Sequence, residues 1–241
     1  MNPELWLLYF CMIETEIKKI NYWNDYAKWY RLWRTHTTYH EPIKKLLLHL
    51  ISEKCRILDI GAGDGVLSFP LLEKKCSVTA LEPSTKIREF LIEKNRDNLN
   101  KVDIDSRRFE DLAIHELNEY DLVLACNSLH LTEDGLEGSL FKIFNSGVKN
   151  FFLVSEKPFP INKLTSYYPS YKMLFYNSYV WENSFAYHSI DELLEHWEFK
   201  FKRELYPFEK DKIFKNLSYE FGHIWIKDYA NVSIAYWRKK G

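Results

Sequence analysis

Cysteine is scarce in this chain: Cys11, Cys55, Cys76 and Cys126 are the only four in 241 residues, and no two form a CxxC pair. That argues against a disulfide framework or a zinc ribbon and fits reduced thiols in the cytoplasm. An excess of one charge is also missing. The formal net charge is −1, so no long-range field draws the chain toward DNA, RNA or an anionic membrane. Long apolar runs are missing too. The longest, LWLLYFCMI at 5–13, has no basic stretch before it and no small-residue cleavage site. It is shorter than the ~20 residues that span a bilayer. A helix or strand packed on the body, or an N-terminal extension, is expected there. There is no internal repeat, no low-complexity tract and no Gly/Ser linker, so a single body with additions is expected.

Aromatic residues, by contrast, are abundant at 17%, and most should be packing residues. Between 16 and 34, Tyr22, Tyr26, Trp29, Tyr30 and Trp33 recur at spacings of three and four, the stripe of an amphipathic helix. Pro42 suits a first helical turn, and 43–51 reads as a second helix. Alternating units follow. Strands are expected at 56–60, 77–82, 101–106, 121–127 and 150–156. Helices are expected at 66–74, at 84–96 with Ser84 as N-cap, and at 136–147 ended by Gly147. Apolar strands alternating with helices imply a parallel sheet covered on both faces, with ligands beyond the C-terminal strand ends. The segment 157–187 has three prolines, many tyrosines and no clean period, and is expected as a lid insertion. A helix at 189–197 capped by Ser189, then strands at 199–208 and 231–239, complete the reading.

The chemistry concentrates in ILDIGAGDGVLSFP, 57–70. No Lys-Ser/Thr follows its glycines, so it is not a P-loop. The dinucleotide fingerprint GxGxxG fails as well, because Val66 stands where the third glycine belongs. Asp59 before the loop and Asp64 within it would repel a pyrophosphate but attract a ligand bearing an amino group and a sulfonium. Glu82, at the end of the second strand, can accept ribose hydroxyl hydrogens.

LDIGAGDG followed by LEPS, with DLVLACNSLHLT further on, resembles the class I S-adenosylmethionine-dependent methyltransferases. The resemblance covers about residues 43–156. It implies an α/β, Rossmann-like, doubly wound and mostly parallel seven-stranded sheet with an antiparallel last strand. An N-terminal helical cap is expected over 1–50 and the methyltransferase domain over 51–241. By the resemblance, Asp59, Gly61 and Gly63 would face the methionine part of the cofactor, with Ala62 and Asp64 as further cofactor-binding residues of the loop, and Glu82 with Pro83 would face the ribose. Arg108, Phe109 and Glu110 would lie along the adenine, although many family members carry Asp before a small residue there. Asn127 would approach the sulfonium, and His130 matches a frequent family histidine.

Other roles stay open for several of these residues. Glu82 could be a helix N-terminal acid and Asp64 a turn residue. Phe109 could be a core ring, and His130 either packing or catalytic. His36 and His40 stand four apart as in helical metal pairs, but Pro42 disfavours that geometry and no third ligand is near in sequence. No metal is therefore expected. With Tyr26 and Tyr30, these histidines are expected to line an acceptor pocket. The expected activity is methyl transfer from S-adenosylmethionine to a small-molecule acceptor, without DNA or membrane, and with charge counting against RNA. Methylation of RNA or protein, or a non-catalytic cofactor-binding role, are the other readings.

Overall fold

The computed structural model describes residues 20–159 and 161–241. The apolar stretch 5–13 and Cys11 lie outside them. Helix α1 (Ile20–His36) leads into α2 (His40–Leu50). A run of alternating elements follows: β1 (Arg56–Ile60), α3 (Ser68–Leu72), β2 (Ser77–Leu81), α4 (Thr85–Asp97) and β3 (Asp103–Asp105). Then come β4 (Leu122–Cys126), α5 (Gly135–Ser146) and β5 (Asn150–Ser155). The last part holds α6 (Ile161–Tyr167), β6 (Tyr171–Glu182), β7 (Phe185–Tyr187), α7 (Ile190–Phe201), α8 (Pro207–Phe214), β8 (Leu217–Glu220), β9 (His223–Ile226) and β10 (Tyr229–Lys239).

Seven strands form one sheet in the order β3-β2-β1-β4-β5-β10-β6, in which β10 alone runs antiparallel to its neighbours. Alternation along the strands feeds two cores. Ile57, Leu122, Leu124 and Phe152 face one side with α2 and α3. Leu58, Val123, Phe151 and Leu153 face the other with α5. The order reverses beside β1, between β2 and β4, and such a switch point opens a crevice at the strand C-termini.

Within the segment 157–187, residues 171–182 form β6, the sheet's edge strand, paired along its length with β10. The register shifts between Tyr236 and Trp237. Across that bulge Met173 packs on one core and Phe175 on the other, although they stand two apart. A bulge of this kind erases the period of two. Tyr168 and Tyr171 pack around Phe144, with ring centroids 4.5 and 5.0 Å away.

The strand expected at 199–208 is absent. Helix α7 runs through Phe201 and ends at Lys202, whose φ is 53°. The F-K-F-K alternation imitates a strand, but Phe199 meets Tyr22 and Tyr26 while Phe201 stacks on Trp197. Instead, β7, β9 and β8 form a small second sheet with its own apolar cluster around Tyr187, Leu193 and Ile226.

Helix α1 bridges the two parts. Its Trp29 stacks on the buried His196 of α7 at 4.5 Å. At its other end, Asn24 Oδ1 accepts the Ser84 hydroxyl and the Lys86 N–H, helping to cap α4.

Candidate cofactor and acceptor site

A cavity of about 460 Å³ opens where the switch point requires it, at the ends of β1, β2 and β4 beneath α1. That volume suits a small organic ligand. The floor is the glycine loop. Gly61 and Gly63 have φ of 68° and 61°, a region L side chains rarely adopt. A Cβ on Gly61 would fall 2.4 Å from Ser128 Cβ, and one on Gly63 would fall 2.3 Å from the Tyr30 hydroxyl. Close packing from both sides, as well as turn geometry, therefore demands these glycines.

Two carboxylates border the loop. Glu82 is buried; its Oε2 accepts the Gly63 N–H and its Oε1 the Ser84 N–H, both at 2.9 Å. Each oxygen keeps a lone pair for a further donor. Desolvation raises its pKa, against the two backbone bonds and Arg88. Arg88 also holds the carbonyls of Glu82 and Pro83 at 2.7 and 2.9 Å. Asp59 is buried, and burial raises it to about 7, with Glu82 adding to the rise and the Ser68 hydroxyl at 2.6 Å opposing it.

Asp59, Gly61, Ala62, Gly63, Glu82, Pro83, Arg108, Phe109, Glu110, Asn127, His130, Tyr26, Tyr30 and His40 all line the cavity. Two expected residues do not. Asp64 turns away and pairs with Arg34 at 3.1 Å and Lys94 at 2.5 Å, while the Tyr30 hydroxyl donates to its Oδ1. It anchors α1 and α4 to the loop. Arg34 and Lys94 hold its pKa low, against its burial. His36 faces His188 and His223 outside the cavity.

The wall residues are held by their own contacts. Arg108 pairs with Glu133 at 2.6 Å, and the Glu110 carboxylate accepts the Glu133 N–H. Phe109 is a core ring, 4% exposed, with the Lys142 ammonium 4.6 Å from its centre. His40 is buried beside Arg34, and burial lowers it to about 3. Asn127 adopts φ 52°. Its amide donates to the Tyr39 hydroxyl at 2.8 Å and to Glu156 at 3.0 Å, and accepts the Glu156 N–H at 2.8 Å. Its two donor hydrogens are thus engaged.

Sequence reasoning missed Glu156, Trp23 and Lys200, which also line the cavity. Glu156 had a legible signal, since it stands just past β5, where parallel sheets gather ligands. Lys200 had none. Its ammonium lies 5.1 Å from the Phe185 ring and 5.0 Å from Trp197, and burial lowers it to about 8.

Comparison with known proteins bears on the fold. Residues 58–145 match the family model described as a methyltransferase domain. Magnesium protoporphyrin IX methyltransferase from Synechocystis PCC 6803, solved with bound S-adenosylmethionine, superposes with a TM-score of 0.54 at 13% identity, over 92% of this chain and 96% of that one. The YcgJ protein from Bacillus subtilis gives 0.53 at 12% identity, over 84% and 100%. TehB from Haemophilus influenzae gives 0.52 at 17%, over 89% and 66%. No curated protein matches. The likeness to a methyltransferase domain lies in the matched segment, and the superpositions show that the chain shares the fold of these solved proteins.

Proposed function

We propose that this protein transfers the methyl group of S-adenosylmethionine to a small-molecule acceptor inside the cavity beneath α1. The observation that carries this reading is the two-sided lining of that cavity. Glu82, Asp59 and the glycine loop form one side, and the rings of Trp23, Tyr26, Tyr30 and Trp33 form the other. When bound, the cofactor supplies a methyl group already activated on a sulfonium. Glu82 would accept the ribose hydroxyls, and Asp59 and the loop backbone would hold the amino-acid end. Arg108, Phe109 and Glu110 would flank the adenine.

The aromatic wall would exclude water and align the acceptor, which is most of what this transfer requires. Asn127 would act through its grip on Glu156 rather than by direct donation, since its donors are taken. His130 and Glu156, which line the cavity, would accept a proton from an acceptor that arrives protonated. Lys200 favours an acceptor carrying an anionic or electron-rich group. The near-neutral charge disfavours RNA. Among the described residues no helix is long and apolar enough to cross a membrane, and the thiols of Cys55, Cys76 and Cys126 are unbridged, which supports placement in the cytoplasm.

The test is incubation with isotopically labelled S-adenosylmethionine and a metabolite extract, read by mass spectrometry. A labelled small product formed by the wild type and lost in Glu82→Gln is expected. Label found only in RNA or protein would overturn the acceptor class. Cofactor binding without label in any fraction would favour a non-catalytic role.

A further inference from the structure

We propose that His36, His188 and His223 form a transition-metal site, best suited to zinc, that staples α1 to the small sheet outside the cofactor cavity. The three residues come from distant places in the chain. His36 ends α1, His188 follows β7, and His223 opens β9. One ring nitrogen of each lies within 4.8 Å of the other two. The ring centres of His36 and His223 are 4.6 Å apart, and those of His188 and His223 are 5.1 Å apart. Tetrahedral zinc with Zn–N bonds of ~2.0–2.1 Å places its ligand nitrogens ~3.3 Å apart. Closing the cluster thus asks for ~1.5 Å at most, and His188, exposed between a strand and a helix, can move that far by side-chain rotation.

Two further observations point to a ligand. His36 Nε2 is buried and has no hydrogen-bond partner, a state that calls for an explanation such as an absent ion. His223 Nδ1 stands 3.0 Å from the carbonyl oxygen of Phe221. A carbonyl only accepts, so this nitrogen carries the proton and Nε2 keeps its lone pair, as in histidines oriented for a metal. Trp225 walls the group, its ring 5.9 Å from that of His36. The Glu192 carboxylate accepts the His188 backbone N–H at 2.8 Å and so steadies the His188 turn. Imidazole donors select zinc, nickel, cobalt or copper over magnesium and calcium.

The spacing of His36 and His40 therefore misleads. His40 lines the cofactor cavity beside Arg34, while the partners of His36 come from the far end of the chain. None of the three cluster histidines lines that cavity, so the site is structural. It would fix α1, which forms the aromatic wall, against β7 and β9. Failure of this inference leaves the methyltransferase reading intact.

The experiment uses the full chain without a histidine tag, stripped with chelator. Zinc is titrated by calorimetry and cobalt by visible absorption. One equivalent of zinc, cobalt bands of four- or five-coordination and a raised melting temperature are expected. His188→Gln, at an exposed position, and His223→Gln should each weaken zinc binding by about tenfold or more, while His115→Gln should leave it unchanged. No zinc binding up to ~100 μM, or binding retained in the His188→Gln/His223→Gln double variant, would overturn the site.

Discussion

The Tyr30 hydroxyl stands 2.3 Å from the point where a Cβ on Gly63 would lie, and the same hydroxyl accepts the Asp64 N–H at 3.2 Å. A residue of α1 is thus built into the turn that floors the cavity. Gly63→Ala should clash with Tyr30 and also force alanine to a φ of 61°, itself a cost of ~1 kcal/mol or more. We expect a lowered melting temperature, part of which returns when Tyr30→Ala is added. A double-mutant cycle by chemical denaturation should show coupling of ~1 kcal/mol or more. Strict additivity would mean that α1 is not packed on the loop.

That relationship marks what the sequence could and could not tell. The strand-glycine-strand-acid pattern placed Asp59, Gly61, Gly63 and Glu82 at one switch point, because short-range alternation sets the strands and topology sets the crevice. Asp64 was read as facing the ligand because an acid within the glycine loop would attract a cationic cofactor. Its true partners, Arg34 and Lys94, lie thirty residues away on either side, and long-range ion pairs leave no local pattern. Strand β6 was hidden by the bulge opposite Tyr236 and Trp237, and α7 was cut short by an alternation that the ring contacts of Phe199 and Phe201 explain differently.

Asp64→Asn separates anchoring from ligand binding. It leaves the Arg34 guanidinium, whose side chain is 14% exposed, without its acid. Removing one partner of a buried pair costs ~3–5 kcal/mol, and the exposure of Lys94 puts the expected loss below that range. Its depressed pKa gives the sign with pH. The stabilisation is present above the unfolded value of ~3.9 and is lost as pH falls through the lower folded value. Melting curves should show that the wild type loses its advantage over the variant in acid. At temperatures where both are folded, S-adenosylhomocysteine affinity should change little; a loss as large as that of a Glu82 variant would return Asp64 to the ligand.

Glu82→Gln should fail in two ways. One glutamine oxygen can still accept a backbone N–H, but its amide group then confronts the second, leaving the Gly63 or Ser84 N–H unsatisfied at a cost of ~1–3 kcal/mol. The ligand-free protein should therefore melt earlier. Calorimetry should also show cofactor affinity reduced by about tenfold or more, since bonds to a charged group contribute ~1.5–3 kcal/mol each. A 2′,3′-dideoxy cofactor analogue should lose much less on the same substitution. Equal losses for both ligands would remove the ribose contact.

Asp59 should make cofactor binding pH-dependent. Burial lifts its carboxyl to about 7, against ~3.9 in an unfolded chain. Between those values the folded protein holds a proton that the unfolded chain has released. Its contribution therefore turns against folding as pH rises from ~4 to 7, by an amount on the order of 4 kcal/mol at ~1.36 kcal/mol per unit. A cationic ligand reverses the balance locally, because it favours the ionised carboxylate. S-adenosylmethionine should then bind more tightly as pH rises from about 5 to 7, by up to tenfold per unit, and level off above. Calorimetry below pH 7 in two buffers of different ionisation enthalpy should detect proton release on binding. Asp59→Asn, which cannot ionise, should give a flatter profile and less released proton. A wild-type affinity that does not change between pH 5 and 7 would mean that Asp59 does not face the cationic end of the cofactor.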